Sequence, residues 1–130
     1  MTRLWLVILA LALWACSDSE VPQAYRDLAV PEKRLGDPAV QVAGRALFLR
    51  HCALCHGEGA DGRGVRRTAL SQPPASFVDP AWRESATPRQ VFATIRLGIH
   101  GTSMPAWPML NHEQTWDLVA YLLHAREATP

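Results

Sequence analysis

Charge of one sign, cysteine and long apolar runs are all in short supply in this chain. Lys plus Arg number 13 and Asp plus Glu 12, so the basic surplus that neutralises phosphates is missing and nucleic acid is not an expected partner. The cysteines are three, Cys16, Cys52 and Cys55. An odd count leaves one without an intramolecular partner whenever the other two are engaged together. The longest apolar run, Leu4–Ala15, is twelve residues, well short of the roughly 20 needed to span a bilayer. There is no internal repeat, no low-complexity segment and no convincing strand pattern.

What the N-terminus does hold is Arg3, then that uninterrupted run, then a small residue, Ala15, directly before Cys16. This is the layout of a secretory signal peptide, so export is expected. Leu13-Trp14-Ala15-Cys16 resembles a bacterial lipobox, which implies cleavage before Cys16 and a lipid on its thiol. Trp14 is larger than the residue usual there, which leaves cleavage by an ordinary signal peptidase or an uncleaved anchor open. The expected location is the periplasmic side of a bacterial membrane, lipid-anchored, with a soluble periplasmic product as the alternative.

Removing residues 1–15 from a chain of 130 leaves 115, enough for one modest domain. Residues 16–37 are polar, carry Pro22, Pro31 and Gly36, and read as a tether. A flexible chain of that length reaches about 25 Å; Tyr25 and Leu28 are the residues able to dock if part of it folds back. The domain is expected over 38–126. Asp37 and Pro38 open a first helix carrying Val40, Ala43, Gly44, Leu47 and Phe48 at helical spacing, which runs into Cys52. Thr87 and Gln90 form a capping box for a second helix ending near Gly98, and Asn111 and Gln114 do the same for a third, with Trp116, Val119, Ala120 and Leu123 along one side. Between the first two lies a Gly- and Pro-rich stretch, Gly57–Ala86, whose length points to a bound group filling the core. The fold class is all-α.

That group is named by Cys52-Ala53-Leu54-Cys55-His56, the attachment motif for c-type haem: two thiols bond the porphyrin's vinyl groups and the histidine ligates the iron. The spacing lets both sulfurs meet one edge of the ring while the next residue turns its imidazole over the face. A thiol redox pair would need a βαβ setting, and a structural zinc site a second pair of ligands. Neither is present in the sequence.

From about residue 38 to 125 the chain resembles the cytochrome c superfamily, in its small bacterial monohaem form. The resemblance rests on Gly44 and Phe48, on Cys52 to Gly57, on the glycine-rich Gly59 to Gly64, on Gly101-Thr102-Ser103-Met104-Pro105, and on Trp116 to Leu122, in the family's order. It implies the cytochrome c fold, three main helices wrapped around one covalently attached haem c, with Gly44 letting the first helix approach the Ala120 and Tyr121 turn of the last. It implies Met104 as second iron ligand, with Met109 and His100 in reserve. It further implies a proline carbonyl, from Pro73 or Pro74, accepting a hydrogen bond from His56, and Arg63, Arg66, Arg67 or Trp82 as donors to the haem propionates. His51, His112 and His124 are expected at the surface.

Histidine and methionine together fill both axial positions, so the resemblance implies a one-electron carrier with no small-molecule substrate. Its partners would be redox proteins meeting an exposed haem edge ringed by Ala53, Leu54, Ala106 and Trp107, and the membrane through the lipid on Cys16. A haem subunit docked permanently to a membrane reductase or dehydrogenase is the alternative, and a gas-binding or sensory haem a more distant one. The lipobox reading predicts a mature chain that begins at Cys16 with added acyl mass, and a Cys16→Ala protein that escapes lipoprotein processing yet keeps its haem. Intact-mass measurement of both proteins checks this.

Overall fold

The computed structural model describes residues 21–126; the signal-peptide reading, Cys16 and residues 127–130 lie outside them. Among the described residues seven helices follow one another: α1 (Gln23–Arg26), α2 (Glu32–Leu35), α3 (Pro38–His51), α4 (Ala53–His56), α5 (Pro80–Ser85), α6 (Pro88–Leu97) and α7 (His112–His124), with a 3-10 turn at Arg67–Ala69 between α4 and α5. Among the described residues there is no strand, and no helix is long and apolar enough to cross a membrane.

The three main helices begin where local chemistry dictates. The Asp37 carboxylate accepts from the Ala39 N–H and Pro38 occupies the first turn of α3. Thr87 with Gln90, and Asn111 with Gln114, close reciprocal capping boxes on α6 and α7. Each box satisfies two backbone donors that a helix start would otherwise leave unpaired.

Helix α7 is buried from Thr115 to Ala120 and again at Leu122, and its contact with α3 is the most extensive between any two elements. Gly44 is the reason they come so close. A Cβ there would run into the Asp117 carbonyl and stand 2.9 Å from the Tyr121 Cβ. The core around the crossing is aromatic. Phe48 packs edge-on to Phe77 and tilted against Tyr121, and Phe92 lies 4.5 Å from the Trp116 ring.

Two parts differ from the sequence reading. The segment read as a tether folds back onto the domain from Val21 onward, with Tyr25, one of the two residues named as able to dock, resting on Phe92; Val21 and Leu35 are buried, and Arg34 reaches Asp117 at 2.7 Å. Composition alone left the extent of the docking open, because a few apolar residues and two long-range arginine contacts suffice to order the segment. The stretch Gly57–Ala86 is also less irregular than expected. It holds α5, capped by Asp79, and its backbone is stitched to α4 by Gly62 N–H to His56 O, Gly64 N–H to Cys55 O and Arg66 N–H to Leu54 O.

Gly44→Ala gains about 1 kcal/mol of helix propensity, but overpacking a tight contact costs about 1–3 kcal/mol or more, and here the obstacle is backbone that cannot rotate away. We expect the substitution to lower the unfolding free energy by about 2 kcal/mol. Urea denaturation followed by helical circular dichroism measures it.

Candidate haem site

Helix α3 delivers the chain into α4, which carries Cys52 at its cap and Cys55 and His56 within its single turn. All three line one cavity of about 560 Å³, and so does Met104. Both thiols are free and half-buried. Burial, with Cys55 beside it, pushes the Cys52 thiol up to about 12.

His56 is held in one tautomer. Its Nδ1 lies 3.0 Å from the Ala75 carbonyl; since a carbonyl only accepts, Nδ1 carries the proton and Nε2 keeps its lone pair. Burial pulls the imidazole below its ordinary value of 6.5, with the Ala75 bond opposing, so the neutral, metal-binding form is favoured. Phe77 packs on the ring at 4.7 Å. The acceptor corrects the expectation of Pro73 or Pro74. Both prolines line the cavity, but the Pro74 carbonyl lies against Gly62, 2.8 Å from where a Cβ would stand, and the next carbonyl along is the one His56 meets.

Met104 sits in a loop fixed from both sides. Its N–H donates to Thr102 Oγ1 at 3.1 Å, while the Thr102 hydroxyl donates to the Ile99 carbonyl at 2.8 Å, and the Ile99 N–H donates to the Met104 carbonyl at 3.1 Å. Gly98, at φ 68°, lets the helix end pass under that loop; a Cβ there would lie 2.7 Å from the Met104 carbonyl oxygen and the Ala106 nitrogen. The Ser71 N–H and hydroxyl meet Ser103 Oγ at 3.2 and 3.1 Å, tying the loop after the haem motif to the methionine loop. The Arg96 guanidinium donates to the Leu110 carbonyl and closes the loop's far end.

The reserve ligands are elsewhere: Met109 and His100 are exposed and neither lines the cavity. Trp82 does line it and stands edge-on to Phe77. Arg63, Arg66 and Arg67 are exposed and line none of it. Arg63 and Arg67 border an adjoining cleft instead, which shares Leu70, Gln72, Pro73 and Pro74 with the cavity. His51, expected at the surface, is half-buried, lines the cavity and packs on Trp107 at 5.4 Å. Ala53, expected in the exposed ring, is buried because α4 turns it inward, whereas Leu54 is 52% exposed. Sequence reasoning missed Ala75, since a backbone acceptor leaves no mark on residue type, and it missed Val21, which also lines the cavity.

Two free thiols, an imidazole with a free Nε2 and a thioether around one largely apolar cavity fit a covalently attached haem by the chemistry of the donor set. Fold and site together define a c-type cytochrome. Residues 39–122 match the family described as cytochrome c oxidase, cbb3-type, subunit III, and the chain belongs to that family of haem electron-transfer proteins, whose cofactor is covalently attached haem c. Three solved structures are similar. One belongs to a reducing HAO-like protein complex of Kuenenia stuttgartiensis, at 25% identity and TM-score 0.54, covering 62% of this chain and 40% of the other. Another is the c-type cytochrome KustC0563, at 24% identity and TM-score 0.54, covering 65% and 98%. The third is cytochrome cL of the marine methylotroph Methylophaga aminisulfidivorans, at 22% and 0.52, covering 68% and 56%. The chain thus spans about two fifths of the first of these. No curated protein matches it.

Without haem, the cavity would be left to water. Its largely apolar walls would then face water, and a domain this small would lose the burial it depends on. Cys52→Ala combined with Cys55→Ala should therefore yield little folded protein. Recovery of a cooperatively unfolding haem-free domain at wild-type levels, by circular dichroism and denaturation, would contradict this.

Proposed function

We propose that the protein is a one-electron carrier with a single haem c bound through Cys52 and Cys55 and ligated by His56 and Met104. The observation that carries this reading is that the imidazole and the thioether line the same cavity as the two thiols, the first on α4 and oriented by the Ala75 carbonyl, the second on a loop locked by hydrogen bonds. When bound, the haem supplies the Fe(III)/Fe(II) couple. The Ala75 carbonyl orients His56 and strengthens its Nε2 as a donor. The soft Met104 sulfur favours ferrous over ferric iron and raises the potential. His56 and Met104 would both be taken up in holding the iron, which would leave no place for a small-molecule ligand. The exposed Leu54 and Ala106 offer apolar surface for brief encounters with redox proteins, whose interfaces are small.

Export and a lipid on Cys16 complete the proposal, giving a domain on the periplasmic side of a bacterial membrane. Because the chain is docked from Val21 onward, five residue steps, at most about 18 Å of extended chain, separate the domain from the anchor. A second reading, a haem subunit docked permanently in a membrane oxidoreductase, is favoured by the family's description as an oxidase subunit and by the similar chain in a redox complex. Particle mass after mild detergent extraction separates the two readings.

Ligation is tested by paired substitutions. Met104→Ala is expected to lower the reduction potential, to abolish the far-red sulfur-to-iron absorption of the oxidised form, and to open the reduced haem to carbon monoxide. Met109→Ala is expected to do none of these. Visible spectra and spectroelectrochemistry read all three, and the opposite pattern would make Met109 the ligand.

A further inference from the structure

The segment before α3 is more than the end of a linker. Val21 is 2% exposed, yet it stands apart from the contiguous core cluster that holds Phe48, Phe92 and Leu118. Together with Pro22, it lines the cavity that takes the haem. One contact braces the segment internally and three hold it to the domain. The Arg26 Nε–H donates to the Val21 carbonyl at 2.8 Å. The Tyr25 ring lies 5.8 Å from Phe92 on α6. The Arg89 Nε–H, also on α6, donates to the Leu28 carbonyl at 2.9 Å. Arg34 donates twice to Asp117 Oδ1 on α7, at 3.1 and 2.7 Å, and Leu35 is buried behind it.

Ordering backbone costs about 1–2 kcal/mol per residue, and a connection that only spaced the domain from an anchor would not incur that cost. We propose that residues 21–35 form a strap that is part of the haem site, with Val21 as a plug that keeps water and added ligands from the haem. The proposal rests on the reading of this cavity as the haem site. Its physical effect follows from charge: ferric haem carries one more positive charge than ferrous, so an apolar cover disfavours the oxidised form and raises the potential. Arg89 fastens the strap to α6 and Arg26 holds the Val21 carbonyl within it, and neither arginine lines the cavity, so the plug can be loosened without substituting a cavity-lining residue.

The experiment uses purified protein with haem attached, comparing Val21→Asp, Val21→Leu and the doubly substituted Arg26→Ala/Arg89→Ala with wild type. Midpoint potential is read by spectroelectrochemistry, and haem access by the rate at which imidazole displaces the sixth ligand of the ferric form. Val21→Asp and the double variant should shift the potential downward and accelerate imidazole entry severalfold, while Val21→Leu retains both values. Unchanged potential and entry rate in Val21→Asp would overturn the strap. Should that variant fail to fold, the double variant decides, and its matching wild type in both measurements would overturn the strap equally. Wild-type intact mass lacking covalent haem would instead refute the reading of the cavity itself.

Discussion

The crossing of α3 and α7 at Gly44 is the contact on which the rest of the molecule depends. Because no side chain separates Gly44 from the Asp117 carbonyl, the helices approach at backbone distance, and Phe48, one turn further along α3, is driven into full burial. That fixes the direction in which α3 emerges, and its next residues are Cys52 and the turn carrying Cys55 and His56. Haem attachment is thereby aimed by a helix crossing rather than by a loop. The same α7 carboxylate region accepts Arg34 from the N-terminal segment, so a single crossing organises the core, the haem-binding turn and the strap.

The remainder of the site is built from backbone. His56 is oriented by the Ala75 carbonyl, the glycine-rich stretch after the motif is held by carbonyls of α4, and the methionine loop is closed by the Ile99, Thr102 and Met104 hydrogen bonds. These are short-range, satisfied bonds around a largely apolar cavity. The serine pair linking Ser71 with Ser103 makes the two loops on either side of the cavity one mechanical unit.

The arginines divide by role. Arg34, Arg89 and Arg96 each hold a carbonyl or carboxylate of another segment, Arg26 holds the Val21 carbonyl within its own, and all four act as struts. Arg63, Arg66 and Arg67 remain exposed and leave the cavity to apolar and aromatic side chains. A nearly neutral chain can therefore use its positive charge internally, and residue counts alone do not disclose which guanidinium does what.

The sequence by itself determined whatever depends on neighbours a few residues apart. The caps at Asp37, Thr87 and Asn111 are local hydrogen bonds between residues two or three positions apart, and Cys52, Cys55 and His56 act through a fixed spacing on one helical turn, so helices and haem attachment were legible at once. Met104 was legible only through the resemblance carried by its Gly- and Pro-flanked loop. Tertiary structure decided the rest. Arg34 meets Asp117 across 83 residues and Arg89 meets Leu28 across 61, and pairings at that separation are set by which helices pack together. Ala75 displaces Pro73 and Pro74 as the partner of His56 because every residue carries a carbonyl, so only the path of the backbone selects one. Val21 shares its residue type with many surface positions, and it belongs to the haem cavity solely because the folded domain brings the strap there.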